Sequence, residues 1–243
     1  MDLARTDLPE GFLFGTTPSA YLVEGHGAGG AGPCERGSVA ATQDSCAGAA
    51  AGGVACDHYQ EFEADLDLVA TARFDLYRLS ISWTRVMPDR AVPNPDVRGP
   101  FMPAGWQDNT GTIAASPDRL GVNSYTHYRV PPARGPWPGN RAVPRPRPKT
   151  EMGLEIAPDR MVEGEERDDD RIGCLATHLD AVQGAIAAGV PLRGYAIWSL
   201  MDDYHWVFGS TGRVGRVNVD LGTRARTPKA AYQRMAQIVR GSA

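Results

Sequence analysis

The sequence predicts a parallel α/β protein. Helical and strand-like segments alternate along it, and no tight two-residue hairpin turn joins one strand to the next. Polar and aromatic residues gather where the strands end, which is where parallel α/β folds build their sites. Residues 12–17 are a short apolar, β-prone run stopped by Pro18, and form the first strand. Residues 25–53, dense in Gly, Ala and Ser, read as one long loop. In residues 58–74, Tyr59, Phe62, Leu66 and Val69 step by three, four and three, the period of a helix. Asp57 is placed as its N-cap, and His58 as a capping or packing residue at its start. Residues 76–82 alternate as a second strand, so helix and strand together make half of a βαβ unit.

Residues 91–116 hold Pro93, Pro95, Pro100 and Pro103 and are irregular. Residues 120–126 are a third strand. Residues 131–148 carry seven prolines and four arginines and read as an extended linker, whose arginines either keep it soluble or meet an anionic partner. The best helical pattern is residues 171–188, where Ile172, Leu175, Leu179, Val182 and Ile186 share one face. Asp168, Asp169 and Asp170 favour its N-terminus, and Gly189 with Pro191 end it. Residues 194–200 are a fourth strand, and Thr227-Pro228 starts a last helix through Tyr232, Met235 and Ile238. All of this fits a single domain over residues 1–243, with irregular segments at 25–53, 91–116 and 131–148.

The 25 basic and 29 acidic side chains give a net charge of −4, which argues against a general nucleic-acid binder. No stretch approaches the roughly 20 apolar residues of a membrane helix, and the first residues lack an apolar signal core, so a cytoplasmic protein is expected. Cys34, Cys46, Cys56 and Cys174 form no CxxC pair, and the expectation is thiols, with no metal site and no cofactor. Trp198, Tyr204, Trp206 and Phe208 lie close in sequence to Asp202, Asp203 and His205. Such a set either packs a core or holds a pyranose, the rings stacking on its C–H faces while polar groups bind hydroxyls.

Several motifs are specific. Leu8-Pro9-Glu10-Gly11-Phe12-Leu13-Phe14-Gly15, with Ser19-Ala20-Tyr21 and Glu24-Gly25, resembles the opening of glycoside hydrolase family 1, the β-glucosidase family. Cys56-Asp57-His58-Tyr59 and Tyr77-Arg78-Leu79-Ser80-Ile81-Ser82-Trp83-Thr84-Arg85 resemble its next two signatures. Leu120-Gly121-Val122-Asn123-Ser124-Tyr125-Thr126 is similar to its sixth-strand motif, and Gly194 through Gly209 to its eighth strand and the loop after it. The matches run in family order and leave residues 91–116 unplaced.

The resemblance implies an incomplete (β/α)8 barrel with about four of its eight strands identifiable, the third, fourth, fifth and seventh being absent. It also implies hydrolysis of β-glycosides with retention, which needs two carboxyl groups about 5–5.5 Å apart. The family's acid/base lies in an Asn-Glu-Pro motif, and no Asn-Glu-Pro occurs here. Its nucleophile lies in Thr-Glu-Asn-Gly. The nearest text is Thr150-Glu151-Met152-Gly153, so Glu151 is the candidate nucleophile. Alternatively, residues 152–158 resemble the Met-Gly-Trp-Glu-Ile segment that precedes the family's seventh strand, which places a second deletion after Arg160.

By the same resemblance Arg78 and Tyr125 position the nucleophile, and Asn123, Trp198 and Trp206 line the glucose subsite. His205 stands where the family has a sugar-binding Glu, Leu22 where it has a Gln, and Ser124 where it has a Tyr. On the residues alone, Arg78 equally suits a buried ion pair, and Asn123 and Tyr125 could satisfy each other at a strand end. The function implied is a β-glucosidase-like glycoside hydrolase with impaired or absent turnover, or else a non-catalytic sugar-binding or partner-binding relic. The partner is a β-glucoside or glucose-like sugar, and open sheet edges imply self-association.

Overall fold

The computed structural model describes residues 4–25, 30–32, 53–86, 121, 160–162, 165–205, 209–210 and 213–241. After a 3-10 turn at Arg5–Asp7, the described elements in chain order are β1 (Leu13–Thr16), α1 (Ala20–Glu24), α2 (His58–Ala72), β2 (Leu76–Tyr77), α3 (Trp83–Val86), β3 (Arg160–Val162), β4 (Glu165–Arg167), α4 (Asp169–Ala187), β5 (Gly194–Ile197), β6 (Val217–Val219), β7 (Arg226–Pro228) and α5 (Ala230–Arg240). The strand expected at 120–126 and the segments at 91–116 and 131–148 lie outside the described residues, apart from Gly121.

The expected parallel sheet is present, in the order β2-β1-β5. The first strand sits between the next strand and one from the far end of the chain. Its register is Gly15↔Leu76 and Thr16↔Tyr77 on one side, and Leu13↔Gly194 through Thr16↔Ile197 on the other. Gly15 is required here, because a Cβ would collide with the Leu76 carbonyl. Pro18, which has no N–H, stops the ladder.

That stop explains why β2 is shorter than the alternating run 76–82. Arg78 N donates to Thr16 O at 3.1 Å, and the chain beyond turns to α1, where Ser80 Oγ accepts from Ala20 N at 2.8 Å. Ser80 thereby satisfies one of the N–H groups that a helix start leaves open. On the other side, β5 ends at Ile197 rather than at residue 200.

Three further expectations change. Asp57 is not a side-chain cap of α2, since its backbone is left-handed (φ 59°) and no cap hydrogen bond forms. Thr227 and Pro228 belong to β7, which pairs antiparallel with β6, and α5 begins only at Ala230. Ahead of α4 the described chain forms a small antiparallel ribbon, β3 with β4, separate from the parallel sheet. Asp168 does not cap its own helix either. Its Oδ1 accepts from Arg171 at 2.5 Å and its Oδ2 from Ala231 N at 2.8 Å, so it serves the first turn of α5.

Two apolar clusters flank the sheet and share α5. Phe12, Phe14 and Ile197 pack with Leu175 and Leu179 of α4 and Met235, Ile238 and Val239 of α5. Val69 and Ala72 of α2 pack with Leu200, Met201, Val217 and Val219 against Tyr232 and Ala236. No described helix is long and apolar enough to cross a membrane. Phe14 is fully buried, so Phe14→Ala is expected to cost about 3–5 kcal/mol. A urea titration followed by circular dichroism checks this through the lowered midpoint.

Candidate active site

Because the three strands are parallel, their C-terminal ends lie together. Thr16 is level with Tyr77 and Ile197. The next residues, Arg78 and Trp198, therefore stand on either side of Thr17, roughly two strand spacings (about 10 Å) apart along the sheet. Thr17 N donates to Ile197 O at 3.1 Å, which extends this alignment one residue past the strands.

Arg78 is exposed and donates to Pro18 O at 3.4 Å, so it is not the buried ion pair that its residue type allowed. Trp198 is half-buried against Tyr21, Leu22, Ala55 and Tyr204. Its carbonyl accepts from Arg216 Nη1 at 3.1 Å, and the same guanidinium donates to Val214 O at 2.7 Å. The Trp198–Ser199 peptide is cis.

The loop after β5 is tied to the start of the chain. Tyr204 N donates to Leu22 O at 3.0 Å, and its ring meets Tyr21 edge-on at 6.2 Å. Asp202 accepts from Lys229 Nζ at 3.0 Å and from Gly215 N at 2.9 Å, and lies 3.3 Å from Arg213. His205, expected at the sugar, is buried, and its Nε2 lies 3.0 Å from Asp203 Oδ1. Asp203 is itself fully buried, and loss of water around it pushes its carboxyl above the usual range, only partly offset by His205. A cavity of about 10 Å³ between Cys56, Asp203, Tyr204 and Arg213 is large enough for one water and too small for a sugar.

Other titratable groups here are structural. His58 bridges Asp65 (Nδ1 to Oδ2, 2.8 Å) and Tyr77 (Nε2 to the hydroxyl, 3.0 Å), which is a packing role. Asp65 also receives Arg226 Nε at 2.9 Å. Burial, with Asp203 and Asp65 nearby, raises Cys56 well above the ordinary thiol range, and its Sγ donates to Val23 O at 3.2 Å. Glu24 is held by Arg85 Nε at 2.9 Å. Among the described residues no group of three His, Cys, Asp or Glu side chains could hold a metal ion. Glu151, Asn123, Tyr125 and Trp206 lie outside the described residues. Of the expected site residues, the structure therefore brings Arg78 and Trp198 to one sheet end, and buries His205 against Asp203.

The sequence profile of glycosyl hydrolase family 1 matches residues 4–99 and 149–242. The chain belongs to that family. The profile leaves out 100–148 rather than 91–116, so the motif with Asn123 and Tyr125 falls outside the matched residues. The chain is similar to the 1,4-beta-D-glucan glucohydrolase of Thermotoga neapolitana, 29% identical over 177 residues, which is 58% of this chain and 39% of that protein. Beta-glucosidase 11 of Arabidopsis thaliana is 39% identical over 109 residues, 43% of this chain and 18% of that one. The solved beta-glucosidase from Thermotoga maritima in complex with deoxynojirimycin aligns with a TM-score of 0.76 at 20% identity, over 97% of this chain and 99% of that chain. The fold is thus an incomplete (β/α)8 barrel, in a chain that spans about two fifths or less of these curated relatives' length.

Asp203 yields a signed pH prediction. Its carboxyl titrates higher in the folded than in the unfolded chain. As pH rises above the ordinary carboxylate range the unfolded chain ionises first, so this group lowers stability until pH passes its folded value. Asp203→Asn is expected to raise Tm at pH 7, with the gain shrinking as pH falls toward 4. Thermal melts of both proteins at the two pH values check it.

Proposed function

We propose that the chain is a β-glucosidase-like glycoside hydrolase with impaired turnover, acting in the cytoplasm on a β-glucoside or glucose-like sugar. The observation that carries this reading is the placement of Arg78 and Trp198 on either side of Thr17, at the C-terminal end of a parallel sheet whose first strand pairs with its last described one. Trp198 is half-buried and is the ring on which a sugar's C–H face stacks, and Trp206 and Asn123 complete the subsite. Arg78 and Tyr125 orient Glu151, the nucleophile. The impairment follows from chemistry. No Asn-Glu-Pro supplies a proton to the leaving oxygen, and a general acid is worth about 10²–10⁴-fold.

A second reading, sugar binding without turnover, is favoured by one observation. Glu24 and Asp202, in the segments that follow β1 and β5, are held by Arg85 and Lys229, and Asp203 is buried against His205.

The test is a pair of substrates. A 2,4-dinitrophenyl β-glucoside has a leaving group that departs without protonation, so Glu151 can displace it and form a glycosyl-enzyme unaided. Azide, needing no base, then attacks the anomeric carbon and releases glucosyl azide. Slow release of dinitrophenolate, accelerated by azide and abolished in Glu151→Gln, is expected, with no measurable cleavage of an alkyl β-glucoside. Glucose binding with no release of dinitrophenolate selects the second reading. Cleavage of the alkyl glucoside at ordinary enzyme rates, 1 s⁻¹ or about that and faster, contradicts both.

A further inference from the structure

One nucleophile and one base meet away from the strand ends and take no part in the proposed hydrolysis. On α4, Cys174 and His178 stand four residues apart, so they share one face of the helix. Both are exposed, and Cys174 is a thiol with no disulfide. The imidazole of His178 reaches back along the helix. Its Nδ1 lies 2.9 Å from Cys174 O and 3.3 Å from Cys174 Sγ.

These two contacts fix where the proton is. A carbonyl oxygen only accepts, so the 2.9 Å contact requires Nδ1 to carry a hydrogen. The sulfur beside the same nitrogen is then the second acceptor of a shared N–H. An N–H aimed at sulfur stabilises the charged thiolate over the thiol. The effect is mutual: the hydrogen bond with Cys174 keeps His178 protonated above the ordinary imidazole range, against partial burial and the charge of Arg216.

The surroundings supply further positive charge. The guanidinium of Arg216, just ahead of β6, is held by the carbonyls of Trp198 and Val214 at 3.1 and 2.7 Å. It acts through space on Cys174, His178 and Tyr195. Tyr195 of β5 sets its ring 6.3 Å from the His178 ring and tilted by 30°, which limits how the imidazole can turn. Burial raises the Tyr195 hydroxyl to about 12, so it stays neutral. Arg171 and Asp168 offset each other as an ion pair. Asp170, one turn back on α4, opposes the thiolate, but it is exposed and water screens it. Reactive cysteines sit in electropositive, solvent-reached surroundings of this kind, whereas buried ones are inert. Cys56 is of the inert kind, buried with its Sγ donating to Val23 O.

We propose that Cys174 is a modification site, which His178 holds as the thiolate and which forms a mixed disulfide with a small-molecule disulfide. The Cys174 sulfur attacks one sulfur of that molecule. A new S–S bond forms, the old one breaks, and the departing half leaves as a thiolate that takes a proton from water. Cys174 is oxidised and the departing half is reduced, so no other oxidant enters. Neither residue serves the proposed hydrolysis, so this experiment and the substrate test fail independently.

Glutathione disulfide is the probe, applied to the unaltered full chain at a series of pH values. Unreacted thiols are blocked with N-ethylmaleimide at each time point, and peptide mass spectrometry reads every cysteine separately. The mixed disulfide is expected at Cys174, with a rate that levels off above an inflection near pH 7, about 1.5 units below the ordinary thiol value of about 8.5. At pH 6 such a thiol reacts about fivefold faster than an ordinary one, because its larger thiolate fraction outweighs its weaker nucleophilicity. His178→Asn should move the inflection back toward the ordinary value and leave the thermal melt unchanged. Should that variant not fold, the pH profile of the unaltered protein still decides. No mixed disulfide at Cys174, an ordinary inflection in the unaltered protein, a profile indifferent to His178→Asn, or modification of Cys56 ahead of Cys174 would each overturn the proposal.

Discussion

The structure depends on β1 being hydrogen-bonded on both sides. Its partners come from distant parts of the chain, β2 about 60 residues on and β5 about 180 residues on. Non-local pairings of this kind pay their loop entropy before the contacts repay it, so they persist only where side chains reinforce them. They are reinforced here. Thr16 is fully buried and its Oγ1 donates to Ile197 O at 3.3 Å. Asp75 Oδ2 accepts from Phe14 N at 2.9 Å and from Arg5 at 2.7 Å, fixing the start of β1 beside β2. With β1 in place, Arg78 and Trp198 are brought to one end of the sheet without either touching the other's strand.

The C-terminal part is tied to the rest of the fold by buried ion pairs. Lys229, at the start of α5, meets Asp202 of the β5 loop at 3.0 Å, and Arg226 of β7 reaches Asp65 of α2. A buried ion that loses its partner costs far more than the pair contributes, so each link specifies position as much as it adds stability. The loop that carries Asp202, Asp203 and His205 is thereby held to α5, α1 and the β6–β7 hairpin. Asp202 there is held by Lys229, and Asp203 lies 3.0 Å from His205.

Sequence periodicity revealed α4 well, because Leu175 and Leu179 lie on a face that is buried. In α2 it found a true helix but only part of its inner face: Val69 is buried as its place in the pattern implied, Tyr59, Phe62 and Leu66 are exposed, and the other buried positions are Asp65 and Ala72. The β6–β7 hairpin escaped notice because its strands are three residues long. Its turn did carry a signal, since Asp220 accepts from Gly222 N and Thr223 N, the habit of an Asp two residues ahead of a Gly. Arg78 and Trp198 come from resemblance to family motifs and not from strand ends, because the strands expected at 76–82 and 194–200 run past both residues. The buried pairing of His205 with Asp203 was not legible, because nothing in a local pattern tells a solvent-facing loop acid from one enclosed by distant elements.

Site-resolved amide hydrogen exchange tests the central place of β1 most directly. The amides of Gly15, Thr16 and Thr17 should exchange only through global unfolding, together with those of β5 and with the middle of α5. If they exchange faster than the α5 amides, by local opening of the sheet, then β1 is not the strand on which the fold depends.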